Sequence, residues 1–99
     1  MQWKHWFAPY PELDHIQLEV STFCNALCAY CPRTTAGHSW NNIHMTPATL
    51  RPLLRHLPSV PYVHLQGWGE PLLNPHFFDL VELVKAHGCL CGTTTNGIL

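Results

Sequence analysis

Polar and apolar residues alternate along His15-Ile16-Gln17-Leu18-Glu19-Val20, a period of two that predicts a β-strand. Tyr62-Val63-His64-Leu65-Gln66 repeats the pattern and predicts a second strand. Cys89 to Thr95 predicts a third, closed by a turn at Asn96-Gly97. Between the strands the period lengthens. Thr46-Pro47 is a helix start, a cap residue followed by proline at the first helical position. Leu50, Leu53, Leu54 and Leu57 then fall on one helical face. Pro52 lies beyond the first turn, so it should kink this helix or push its regular part later, and Pro58 should end it. Asn74-Pro75 starts a second helix with an apolar stripe of Phe77, Leu80, Val81 and Val84. Asp79 and Glu82 precede Lys85 and His87, which suits the helix dipole, and Gly88 is the stop. Ser21 to roughly Asn42 has no clean period and reads as a long loop. Residues 1–14, rich in aromatics and proline, read as an irregular lead-in, with Trp3, Trp6 and Phe7 packing on the base of the domain.

The order β-α-β-α-β implies an α/β fold with a parallel sheet. In a doubly wound sheet helices cover both faces, so strands read as near-continuous apolar runs. Here Ile16, Leu18 and Val20 share one face while Gln17 and Glu19 share the other. Val63 and Leu65 likewise oppose His64 and Gln66, and Cys89 and Cys91 share a face with Thr93 and Thr95. One apolar and one polar face favour a partial (βα) TIM-like barrel with a polar lumen, of which residues 15–99 supply three strands. In parallel β/α units the loops leaving the strand C-termini gather on one rim, where active sites are built. Residues 21–33, 67–74 and 95–97 are those loops.

Composition narrows the class. The chain has 99 residues, 46% hydrophobic and 11% charged, which is globular and one domain at most. A net charge of -1 gives no basic footprint for nucleic acid. No stretch reaches the ~18 consecutive apolar residues of a membrane span, and the N-terminus lacks a signal-peptide pattern, which points to a cytoplasmic protein. Five Cys is an odd count, with three of them clustered. A secreted disulfide framework is usually even and spread out, so clustered thiols read as metal ligands or redox groups.

Those three are Cys24, Cys28 and Cys31, spaced C-x3-C-x2-C on the first rim loop. Three close thiolates can converge on one inorganic centre. A structural zinc site needs four ligands, and His38, His44 or Cys91 could supply the fourth. A [4Fe–4S] cluster usually takes four Cys, so three leave one iron open for a substrate or cofactor. Zinc and iron–sulfur both stand on spacing alone. Cys89 and Cys91 read as packing residues. Glu19 and His64 read as hydrogen-bonded lumen residues, and Asn96 as a turn residue with an even claim to a cofactor role.

The motif with Tyr30 before its last cysteine, C-x3-C-x-aromatic-C after a first strand, resembles the signature of the radical S-adenosylmethionine (SAM) superfamily. Gly67-Trp68-Gly69-Glu70-Pro71 is similar to that family's Gly-Gly-Glu-Pro segment, with Trp68 where the first of the two glycines usually sits. Thr95-Asn96-Gly97 resembles the segment that often closes the family's third strand. The resemblance covers roughly residues 15–99. It implies that Cys24, Cys28 and Cys31 ligate three irons of a [4Fe–4S] cluster and that the fourth iron binds SAM. It implies that Tyr30 lies near the adenine, and that Gly69 and Glu70, with Pro71 beside them, help hold the methionyl amino group. It implies reductive cleavage of SAM to methionine and a 5′-deoxyadenosyl radical, fed by an electron donor such as flavodoxin or ferredoxin, on a small-molecule or peptide substrate the sequence does not specify. Only three strands are present, so the chain is expected to be the N-terminal part of a radical SAM core, inactive or nearly so alone. The alternative is a non-catalytic module holding zinc or an electron-transfer iron–sulfur cluster.

Overall fold

The computed structural model describes residues 13–98. The lead-in expectation for Trp3, Trp6 and Phe7 lies outside the described residues. Three strands form one parallel sheet: β1 (His15–Leu18), β2 (Tyr62–Leu65) and β3 (Leu90–Thr93). Their spatial order is β1-β2-β3, the same as their order along the chain. A doubly wound sheet reverses its strand order at a switch point. These strands progress in one direction, as barrel strands do, and the sheet is open. The register sets Ile16 beside Val63 and Cys91, and Leu18 beside Leu65 and Thr93. The alternation in sequence therefore becomes two unlike faces.

The apolar face carries the core. Leu18, Val20, Val63 and Leu65 join Leu50, Leu57, Val60, Phe77, Leu80, Val84 and Cys89 in one buried cluster. Cys91 packs against its margin, so this pair of cysteines belongs to the packing. Burial pushes the Cys91 thiol up, against a smaller downward pull from Lys85 and a further upward push from Cys89. Leu80 has no exposed surface. Leu80→Ala is expected to cost ~2–5 kcal/mol, the range for emptying a leucine site in a core. Urea unfolding followed by circular dichroism measures it.

The helices depart from expectation in instructive ways. The loop after β1 is not structureless: α1 (Pro32–Ala36) follows the last cysteine of the motif, and a 3-10 turn covers Gly37–Ser39. Cys31 sits in the N-cap position with Pro32 at the first helical position, a start signal overshadowed by the cysteines around it. The leucine-rich helix is α-helical only for α2 (Pro47–Leu50), capped by Thr46 as expected, and continues as a 3-10 helix over Arg51–Ser59. Pro52 denies the α-helical ladder a donor, and the chain tightens instead of kinking. Leu50 and Leu57 are buried, whereas Leu53 is 40% exposed.

The second helix, α3 (Phe77–Ala86), begins two residues after Pro75. The reason is Asn74, whose side chain is buried and committed elsewhere. Its Nδ2 donates to the carbonyls of Val20 and Met45, each at 2.8 Å. Its Oδ1 accepts from the His76 N–H at 2.8 Å. Asn74 thereby ties three segments at the exit of β1 instead of capping the helix. Gly88 closes α3 with φ of +83°, a left-handed position that suits glycine. Among the described residues no helix is long and apolar enough to cross a membrane.

Candidate functional site

Past Leu18 the chain leaves β1 between two tethers. On one side, the Met45 N–H donates to the Val20 carbonyl at 2.9 Å and the Thr22 N–H to the Ile43 carbonyl at 2.9 Å. On the other, the Gly69 N–H donates to Ser21 O at 3.1 Å and the Glu70 N–H to Phe23 O at 2.7 Å. The cysteine loop is thus launched from a fixed base. Its far end is drawn back to that base by Arg33 Nε and Trp40 Nε1, each donating to the Thr22 carbonyl at 3.0 Å.

The three rim loops meet as the topology requires. They line one open-sided cleft of about 270 Å³, near the ~300 Å³ lower end of small-molecule sites. Cys24, Cys28 and Cys31 form one wall with Tyr30, and residues 67–70 and 94–96 the others. All three cysteines are free, with Cys24 and Cys31 half-buried and Cys28 exposed. Tyr30 stands at the mouth, 89% exposed. Trp68 is also exposed on the rim, and its N–H donates to Glu19 Oε2 at 3.1 Å. No non-glycine residue here has positive φ, so the tryptophan occupies its glycine-like place without backbone strain.

Glycine is required at the next position. A Cβ on Gly69 would fall on the backbone of Ser21 and Phe23. The second loop crosses the first at a distance only a bare backbone allows.

Glu70 is 2% exposed and turns inward. Its carboxylate accepts the Thr95 hydroxyl, the Asn96 N–H at 2.9 Å and the Leu72 N–H at 3.4 Å. The side chain is spent as a brace between the second and third loops, and it also caps the short turn Pro71–Leu73. Pro71 is buried behind it and does not line the cleft. Asn96 does line the cleft. Gln66 and Thr94 line the cleft without having stood out in the sequence, and Thr95 stood out only as part of a motif and not as a partner of Glu70. Thr95 and Thr94 directly precede Asn96, and a buried carboxylate needs donors nearby, so Glu70 itself was the missed signal.

The polar sheet face is a hydrogen-bonded layer. Tyr62 Oη lies 2.6 Å from His64 Nδ1, and His64 Nε2 lies 2.9 Å from Gln66 Oε1 and 3.2 Å from Thr94 Oγ1. Glu19 and His64 are both partnered within the chain.

Neither His38 nor His44 nor Cys91 lines the cysteine cleft. His44 lies in a separate depression, with Nδ1 2.9 Å from Ser21 Oγ and its ring stacked on Phe23 at 4.3 Å. Desolvation, then repulsion from His76, lowers its pKa. Among the described residues no three His, Cys, Asp or Glu side chains meet closely enough to hold one metal ion. The cleft offers three thiols around open space, and Glu70, the carboxylate in its described lining, is already committed. That set fits a multi-iron centre with one position left open better than a four-ligand zinc site.

Comparison with known proteins identifies the family. The chain is 28% identical over 92 residues to the tungsten-containing aldehyde ferredoxin oxidoreductase cofactor-modifying protein of Pyrococcus furiosus, covering 88% of this chain and 25% of that one. It is 30% identical over 90 residues to the GTP 3′,8-cyclase of Chlorobaculum tepidum, covering 88% and 27%. The chain thus spans about a quarter of the length of these relatives. Its fold superposes on the crystal structure of BtrN in complex with AdoMet and 2-DOIA with a TM-score of 0.75 and 26% identity, over 88% of this chain and 37% of that one. An open conformation of BtrN gives 0.72 over 87% and 40%, also at 26% identity. Residues 18–99 match the radical SAM superfamily, and with the rim loops arranged as described the chain belongs to that family.

Proposed function

We propose that the chain holds a [4Fe–4S] cluster through Cys24, Cys28 and Cys31 and binds SAM in the same cleft, as the N-terminal share of a radical SAM enzyme. The observation that carries this is the cleft itself, where three free thiols stand opposite the Gly69-Glu70 loop and Asn96 and, among the described residues, no fourth thiol or imidazole lines it. When bound, the cluster supplies the low-potential electron that cleaves SAM to methionine and a 5′-deoxyadenosyl radical, the electron coming from a donor such as flavodoxin or ferredoxin.

The chain's own residues bind and orient. Backbone of residues 67–69 holds the methionyl amino group at the cleft wall. Glu70 acts one step back, keeping the second and third loops in register through Thr95 and Asn96. Tyr30 at the mouth supplies a ring face for the adenine. The Tyr62–His64–Gln66 layer presents fixed polar groups to the face where a substrate would sit. The substrate itself and the reaction on it belong to the whole protein. The isolated chain is expected to turn over SAM little or not at all.

Anaerobic reconstitution with iron and sulfide tests the reading. About four irons and four sulfides per chain are expected, as the cluster's formula requires. One zinc per chain with no cluster formed would replace this reading with the metal-binding module.

A further inference from the structure

Cys24 differs from the other two cysteines in what reaches its sulfur. The Ala26 N–H donates to Cys24 Sγ at 3.4 Å, a contact made within the loop. A second donor comes from far along the chain: Asn96 Nδ2 lies 3.8 Å from the same sulfur. The Asn96 side chain is fixed at every polar atom. Nδ2 also donates to Asn25 Oδ1 at 2.9 Å, and Oδ1 accepts the Ile98 N–H at 2.8 Å. Its backbone is fixed as well, because the Asn96 N–H donates to Glu70 Oε2 at 2.9 Å. A buried carboxylate therefore sets the position from which an amide addresses a candidate ligand sulfur.

We propose that Asn96 is a positioning residue that tunes the cluster by giving Cys24 Sγ an amide hydrogen bond, with Glu70 holding Asn96 in place. The proposal rests on the cluster reading above. Reduction adds one electron to the cluster and increases the negative charge on its thiolates. A donor to sulfur stabilises the reduced form more than the oxidised form and raises the potential. Hydrogen bonds from outside the ligand set are the usual means by which a protein sets a metal centre's electronics.

The test is a mediated redox titration of the reconstituted chain without SAM, read by EPR, comparing wild type with Asn96→Leu and Asn96→Ser. Leucine keeps the size and removes the donor. Serine is too short to reach the sulfur. Both are expected to take up iron as the wild type does and to shift the midpoint negative, by up to a tenfold change in the reduction equilibrium, about 59 mV for one electron. Asn96→Gln, which keeps an amide donor, is expected to recover part of the shift. Equal potentials in all four proteins would overturn the proposal. Loss of cluster in both the Leu and the Ser variant would also overturn it, since Asn96 would then be needed to build the site and not to tune it. Failure of the wild type to form a cluster is a separate result that removes the functional reading itself.

Discussion

Cys28→Ala, reconstituted anaerobically, is expected to lose its iron while keeping its fold. Cys28 is exposed and stands outside the buried core, so its removal costs the fold little, within about 0.5 kcal/mol for a surface change of this kind. Its loss leaves the cleft with two thiols, and a cluster held by two cysteines has no closed ligand set. Loss of a mere supporting partner costs ~10–100-fold in metal affinity. Loss of a ligand should cost more, leaving no stoichiometric cluster. Cys91→Ala is the contrast. Cys91 packs against the core on the opposite sheet face, so that variant should be somewhat less stable yet bind iron normally. Iron and sulfide content, beside a urea unfolding curve for each variant, separates the two effects. Equal iron in Cys28→Ala and wild type would remove Cys28 from the ligand set.

The second large effect is at Gly69. Gly69→Ala would place a Cβ on the carbonyl oxygens of Ser21 and Phe23, which are backbone and cannot swing aside. The first and second loops must move apart, and the Gly69-to-Ser21 and Glu70-to-Phe23 hydrogen bonds stretch with them. Overpacking alone costs ~1–3 kcal/mol, and each lost hydrogen bond about 1 kcal/mol more. The cysteine loop would also lose its fixed base, so cluster yield should fall together with stability. Gly67→Ala is the milder neighbour, since the nearest atoms its Cβ would meet belong to the Glu19 side chain, which can rotate away at the cost of its bond to Trp68. Unfolding midpoints and iron content of the two variants check the order. A Gly69→Ala protein as stable and as iron-rich as Gly67→Ala would show that the crossing of the loops is not tight.

Much of this was legible in the chain before any coordinates. Strict alternation along residues 15–20 and 62–66 fixed which strand face meets the core, because side-chain parity in a strand leaves no other choice. Topology then brought the three rim loops together, and with them Cys24, Cys28, Cys31, Gly69, Glu70 and Asn96. What escaped were places where a side chain serves a distant partner. Asn74 and Glu70 each bond a backbone N–H two residues on, but each also answers donors or acceptors more than twenty residues away. The leucine stripe of residues 50–57 pointed to an α-helix, but beyond Leu50 the segment is a 3-10 helix, Pro52 lacking the donor an α-helical ladder needs, and Leu53 is exposed. The short helix after Cys31 has a proline to start it but buries no residue, so no apolar period marks it in the sequence.

On the proposed function, one cleft holds both the cluster and SAM. The most direct measurement is the EPR spectrum of the anaerobically reconstituted, reduced chain, recorded with and without SAM. A reduced [4Fe–4S] signal is expected whose shape changes when SAM is added, with both signal and change absent in Cys28→Ala. A cluster signal indifferent to saturating SAM, or stoichiometric zinc and no cluster signal at all, would contradict it.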